Sequence, residues 1–203
     1  VDRRGPLTPG AQPAGATGEG AARVAALAAR VRDAAPRLGR TRLVCVDGPA
    51  GSGKTTLGRA LATALGAPLV HMDDLYAGWT LTGAWARLAA GVLRPLAGGA
   101  DGAYHRYDWA AGRFAPVPVG VPSGAALVVE GCGSCPRAAD PWAVLRVWVE
   151  APAALRLARG LARDGVALAP QWRRWQGLEA AVFAAEGTRE RADVRVDGTG
   201  GRP

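Results

Sequence analysis

Leu43-Val44-Cys45-Val46-Asp47-Gly48-Pro49-Ala50-Gly51-Ser52-Gly53-Lys54-Thr55-Thr56 decides how this chain folds. The first four residues are a short apolar, β-prone run, and residues 48–55 satisfy G-x-x-x-x-G-K-[ST]. Leu57, Ala60, Leu61, Ala64 and Leu65 then recur at helical spacing. Strand, glycine-rich turn and helix, in that order, are the setting in which successive backbone N–H groups wrap a polyphosphate, aided by the positive end of the helix. In such a cradle Lys54 reaches the β and γ phosphates of a nucleoside triphosphate and the Thr55 hydroxyl ligates Mg²⁺. Gly48, Pro49, Ala50, Gly51, Ser52, Gly53, Lys54, Thr55 and Thr56 are the expected nucleotide contacts.

Working outward, four more short stretches read as strands: 68–72, 125–130, 144–149 and 192–196. Helical spacing separates them around 81–96, 153–163 and 171–185, and an amphipathic helix, marked by Val24, Leu27 and Val31, precedes the first strand. Buried strands alternating with helices predict an α/β fold, a three-layer arrangement with a parallel five-stranded sheet flanked by helices. Residues 1–20, rich in Gly, Pro, Ala and Thr without periodicity, are expected to be a disordered tail, and 21–203 a single domain. Residues 98–124 break the alternation with an aromatic, charged cluster, Tyr104-His105-Arg106-Tyr107-Asp108-Trp109. So long a connection is expected to touch ligand, as a substrate loop.

Lys54 is the only lysine among 25 basic residues, so a composition that uses arginine everywhere else keeps one lysine in the cradle. The net charge of +8 does not form a basic arm: seven arginines in residues 1–40 interleave with Asp2, Glu19 and Asp33. Nucleic acid is therefore not the expected partner. No apolar run reaches the roughly 18 residues of a membrane span, and residues 1–20 lack the apolar centre of a signal peptide. With only three cysteines, no disulfide framework is expected, and the chain reads as cytoplasmic with no membrane partner. The chain has no asparagine and no second lysine, which excludes the N-K-x-D base reader of a GTPase.

Three further groups carry chemistry. The second strand ends in His71-Met72-Asp73-Asp74-Leu75-Tyr76, and carboxylates at the C-terminal end of a parallel strand face the ligand crevice. Asp73 is placed to act as base for an acceptor hydroxyl; Asp74 either orients Mg²⁺ water or substrate, or caps the following helix. Glu130 ends the third strand as a candidate Mg²⁺ ligand in company with Thr55 and Asp73. Arg156, Arg159 and Arg163 fall at i, i+3 and i+7 on one helix face, as an arginine lid over about 152–170 that Gly160 and Gly165 would loosen. Asp47 lies close to the cradle with its role open. The lone pair Cys132 and Cys135 has too few companions for a zinc site.

Read in order, the cradle, HMDDLY, YDW, VVEG and RLARGLARD resemble the uridine kinase and nucleoside kinase group of P-loop kinases over residues 41–198. The resemblance implies a small-molecule kinase that uses ATP and Mg²⁺. It matches Asp73 to the catalytic base, Tyr107-Asp108 to the substrate-loop Y-D, Glu130-Gly131 to the E-G after the third strand, and Arg156, Arg159 and Arg163 to the lid. Asp74, Tyr76, Tyr107, Asp108 and Arg113 are the expected substrate residues, with Trp79, Trp85 and Trp109 as further contacts. The histidine that uridine kinases place after Y-D-[FY] has no counterpart in Trp109-Ala110-Ala111-Gly112-Arg113, so a pyrimidine acceptor is not implied. The DGPAGSGKT wording also resembles cytidylate kinases, whose acceptor is a phosphate. Two readings stay open beside the hydroxyl kinase: a nucleoside monophosphate kinase, and a nucleotide-dependent regulatory protein that performs no transfer. Assembly as a homo-oligomer is compatible with each.

Overall fold

The computed structural model describes residues 18–200, so the expected tail lies outside the described residues apart from Gly18–Gly20, which already belong to the first helix. That helix, α1 (Gly18–Asp33), precedes β1 (Arg42–Asp47), α2 (Lys54–Leu65) and β2 (Leu69–His71). A helical segment follows as α3 (Ala84–Leu88), a π-helical turn (Ala89–Leu93) and α4 (Arg94–Ala97). Next come β3 (Gly102–Asp108), β4 (Arg113–Val121), β5 (Ala126–Glu130), β6 (Ala143–Glu150), α5 (Ala153–Asp164), α6 (Ala169–Glu186), α7 (Thr188–Arg191) and β7 (Val194–Asp197). No helix among the described residues is long and apolar enough to cross a membrane.

The central sheet has the order β2-β5-β1-β6-β7, and every pair in it is parallel. Continuous apolar strands need cover on both faces, and the two-residue period of a strand divides β1 between them. Leu43 and Cys45 point to one face with Leu127, Val129 and Val70, under α3, α4 and α6. Val44 and Val46 point to the other with Val128, Leu145, Val147 and Val149, under α1 and α2 through Leu27, Val31 and Leu61. Each fully buried valine or leucine contributes about 1.5–3 kcal/mol relative to exposure, and the alternation makes a one-residue slip of β1 prohibitive.

Residues 98–124, read from sequence as a substrate loop, are instead an antiparallel β-hairpin, β3 with β4. Its base is set close against the π-helical turn: a Cβ on Gly102 would meet the Val92 backbone at 2.8 Å, and one on Gly91 would meet the Ala103 carbonyl at 2.3 Å. The hairpin thus stands beside the C-terminal ends of β2 and β5, the end of the sheet where Asp47, His71 and Glu130 finish their strands.

Candidate active site

The β1–α2 turn carries the cradle, and α2 begins at Lys54 itself. Lys54 is almost fully buried; its Nζ donates to the Pro49 carbonyl at 2.9 Å and lies 3.7 Å from Cys132 Sγ. Burial alone would pull this ammonium down, but Cys132, Glu130, Glu179 and Asp47 around it outweigh that and hold its pKa above the ordinary value. The turn is braced by its preceding residue. Asp47 Oδ1 accepts from Gly48 N at 2.7 Å and Gly133 N at 3.0 Å, and Oδ2 from Cys135 N at 2.8 Å. Burial pushes Asp47 up to about 6 against those three N–H donors. The role left open for Asp47 is therefore to lock the 131–135 turn onto the cradle.

Cavity walls bring Ala50, Gly51, Lys54 and Thr55 of the cradle together with Asp73, Tyr76, Glu130 and Arg163, in a cleft of about 660 Å³ that includes its mouth to solvent. Asp73 follows β2 in a 3-10 turn, Met72–Asp74, and its carboxylate has no hydrogen-bond partner among the described residues. Burial and the neighbouring Glu130 charge push Asp73 up to about 6, opposed by Lys54, Arg163 and His71. Glu130 Oε1 accepts from the Thr55 hydroxyl at 3.1 Å and pairs with His71 Nδ1 at 2.5 Å; that bond holds His71 above its ordinary value in spite of burial.

Thr55 and Glu130 are hard oxygen donors 3.1 Å apart, with Asp73 lining the same cleft, which fits Mg²⁺ shared with phosphate oxygens. Among the described residues no three acidic, histidine or cysteine side chains converge on one metal position. The donor set therefore suits a cation that arrives with its nucleotide rather than a closed protein cage.

Several expected site residues lie elsewhere. Asp74 faces the hairpin, where Oδ1 accepts from Arg106 Nε at 2.7 Å and Oδ2 from the Tyr104 hydroxyl at 3.1 Å. It fastens the hairpin and does not line the cavity. Tyr107 packs edge-on against Trp109 and Phe114, Asp108 caps its own turn through Ala110 N and Ala111 N, and Arg113 is exposed. None of the three lines the cleft. Trp85 likewise stacks on Trp142 away from it. Gly48, Pro49, Ser52 and Gly53 form the turn behind the lining residues, and Thr56 is exposed on the first turn of α2.

The arginine row shares one face, as expected, but divides by task. Arg163 alone reaches the cavity, forked onto Asp164 at 2.7 and 2.9 Å and 5.7 Å above the Trp172 ring. Arg159 binds the carbonyls of Gly51, Gly198 and Thr199. Arg156 binds Glu179 at 2.7 Å and the Ala151 carbonyl. Gly160 is not a loosening point: a Cβ there would sit 2.3 Å from the Trp172 ring, so the glycine exists to let the indole pack on α5.

Sequence reasoning missed Asp164, Trp172, Trp175 and Glu179. Trp172 and Trp175 complete an aromatic wall in which Trp79 meets Trp109, Trp172 and Trp175 edge-on at 5.8, 6.4 and 5.9 Å. A signal existed: Trp172, Trp175, Glu179 and Phe183 are spaced 3, 4 and 4 apart, one face of a helix.

No protein-family model and no curated protein matches the chain. Its backbone is similar to that of a possible uridine kinase from Bacillus stearothermophilus, with TM-score 0.63 and 18% identity over 87% of this chain and 98% of that one. It is also similar to a candidate fructose transport system kinase from Silicibacter sp. TM1040, with TM-score 0.56 and 24% identity over 85% and 98%. The chain has the P-loop kinase fold. Within that fold the cradle and the unpartnered Asp73 share one cleft, and the tryptophans form its remaining wall.

Proposed function

We propose that the protein is an ATP-dependent kinase that transfers the γ-phosphoryl group to a hydroxyl of a nucleoside or similar small metabolite. The observation that carries this reading is Asp73, a carboxylate free of hydrogen-bond partners among the described residues, on the same cavity wall as Lys54 and Thr55. A base must keep its lone pairs for the proton it takes, and a pKa near 6 sits close to working pH. Asp73 accepts the hydroxyl proton as the acceptor oxygen bonds to the γ phosphorus; the bond to the β–γ bridging oxygen breaks and ADP leaves. Asp73 then returns the proton to solvent. Lys54 and Arg163 offset the charge on the phosphoryl oxygens. Mg²⁺, when bound with the nucleotide, would supply charge neutralisation at the phosphates, and Thr55 and Glu130 are the residues that would hold it, leaving Asp73 to the acceptor proton.

A phosphate acceptor would need its own cationic fork at the far end of the cleft. Among the described residues the only arginine lining the cavity is Arg163, which the transferring phosphoryl group already needs, and the wall beyond the cradle is largely indole and phenol. That favours a neutral hydroxyl acceptor with a flat or apolar body. ADP release with MgATP, screened against nucleosides, nucleoside monophosphates, hexoses and vitamin-like alcohols, tests the reading. Stimulation by an unphosphorylated alcohol is expected. Stimulation by monophosphates alone would replace it with the phosphate-acceptor reaction, and tight MgATP binding without transfer to any arm would replace it with a regulatory role.

A further inference from the structure

Glu179 is the one buried carboxylate of α6, with 1% of its side chain exposed. Its Oε2 accepts the backbone N–H of Ala50, the third residue of the cradle, at 2.8 Å, and lies 3.4 Å from Cys132 Sγ. Its Oε1 accepts from Arg156 at 2.7 Å. Arg156 closes the ring by reaching back to the Ala50 carbonyl at 3.4 Å. The α5 backbone is held there too: Gly51, at φ +79°, comes so close that a Cβ on it would lie 2.6 Å from the Arg156 carbonyl oxygen. Ala50 and Gly51 line the cavity, whereas Glu179 and Arg156 do not. Whatever these two do for a ligand, they do through the loop.

The same face of α6 carries Trp175 and Trp172, four and seven residues earlier, and both line the cavity. One rigid helix face therefore touches the phosphate loop at one end and forms part of the acceptor wall at the other. A buried carboxylate is costly unless paired and hydrogen-bonded, and packing alone would be met by an amide or an apolar residue. We propose that Glu179 is a positioning residue that ties the phosphate loop to α6, fixing Ala50 for nucleotide binding and linking the nucleotide subsite to the tryptophan wall of the acceptor subsite. This rests on the kinase reading for the identity of its ligand.

Glu179→Gln keeps size and one acceptor for Ala50 N–H but cannot pair with Arg156. MgATP binding to the full chain, without acceptor, is measured by calorimetry and by tryptophan emission, well below the melting temperature. Losing a charge-assisted contact predicts MgATP binding about tenfold weaker or more. The emission change on adding MgATP should shrink, while emission without nucleotide stays as in wild type. Unchanged affinity and an unchanged nucleotide-dependent emission change would overturn the proposal, since a merely structural residue alters neither once the protein is folded. If Glu179→Gln does not fold, Arg156→Lys removes the fork while leaving Glu179 on Ala50 N–H. About threefold weaker binding is then expected from losing one of the paired contacts, and wild-type affinity overturns the proposal. Wild-type protein that fails to bind MgATP overturns the kinase reading and this coupling with it; wild-type binding with an unaffected variant overturns the coupling alone.

Discussion

On the proposed kinase reading, the phosphate end and the acceptor end of the cleft are built in opposite ways. The phosphate end is one contiguous segment, β1, cradle and α2, whose ligand-facing groups are largely backbone and whose shape is held by Asp47 and Glu179 from behind. The acceptor end is assembled from segments distant in sequence: the turn after β2, Trp79, the hairpin's Trp109, and Arg163 to Trp175 across α5 and α6. Backbone recognition suits the invariant part of a reaction, the triphosphate. A side-chain mosaic suits the part that must discriminate, and each of its pieces can be altered without unmaking the others. Substitutions at the two ends should therefore separate in their effects.

Asp73 stands where the ends meet, and its loss should have the largest effect. Asp73→Asn is expected to lower turnover about 10²–10⁴-fold with MgATP binding retained, read by ADP release and calorimetry. Retained turnover would remove it from the mechanism. Because burial and Glu130 raise Asp73 to about 6, the carboxylate is the active form only above that pH. Wild-type turnover should fall as pH drops through about 6, and the variant's residual rate should lose that limb. Next in size is Lys54→Ala, on the phosphate side, with a loss of about 10²–10³-fold accompanied by weaker MgATP binding. A variant that weakens only the acceptor would break the division between the two ends.

The same contrast explains what the sequence reveals. The cradle and its flanks are readable because the whole device lies in consecutive residues with a fixed spacing, and most of the strands because their runs are largely apolar; β7, with Arg195 and Asp197, is the weakest of them. The order Asp73, Glu130, Arg163 is readable because each ends or follows a sheet or helix element in turn. Tyr107 and Asp108 are misplaced by sequence because the hairpin uses them for its own packing and turn, Tyr107 against Trp109 and Phe114 and Asp108 on Ala110 N and Ala111 N, and no local pattern announces those contacts. Glu179 hides because α6 is alanine-rich on several sides, so its inward face does not stand out by hydrophobicity. Gly160 reads as a flexible point until the Trp172 ring is seen resting on it.

Trp79→Ala tests the acceptor wall. Its ring makes edge contacts with three other indoles, and each aromatic pair is worth about 0.5–1.5 kcal/mol beyond area. The acceptor KM should rise about tenfold, a little over 1 kcal/mol, with MgATP affinity unchanged. Equal losses in both would mean that the two ends are energetically one site.

The smallest effect is expected at the seat of the hairpin. Tyr104 is buried, and its hydroxyl donates to Asp74, a carboxylate that is buried in turn and keeps Arg106 as its other partner. Tyr104→Phe removes one donor and leaves the ion pair, so the net loss should be about 0.5–1.5 kcal/mol, a drop of roughly 2–4 °C per kcal/mol in thermal midpoint for a chain of this size. The hairpin carries Trp109, whose indole N–H donates to the Asp73 carbonyl at 3.2 Å. A loosened seat should therefore reach the acceptor KM, by about twofold on the scale of a fraction of one hydrogen bond, before it reaches ATP. Should calorimetry show weaker MgATP binding instead, the hairpin would belong to the nucleotide end, and the division drawn between backbone-built and side-chain-built halves would have to be redrawn through Asp74.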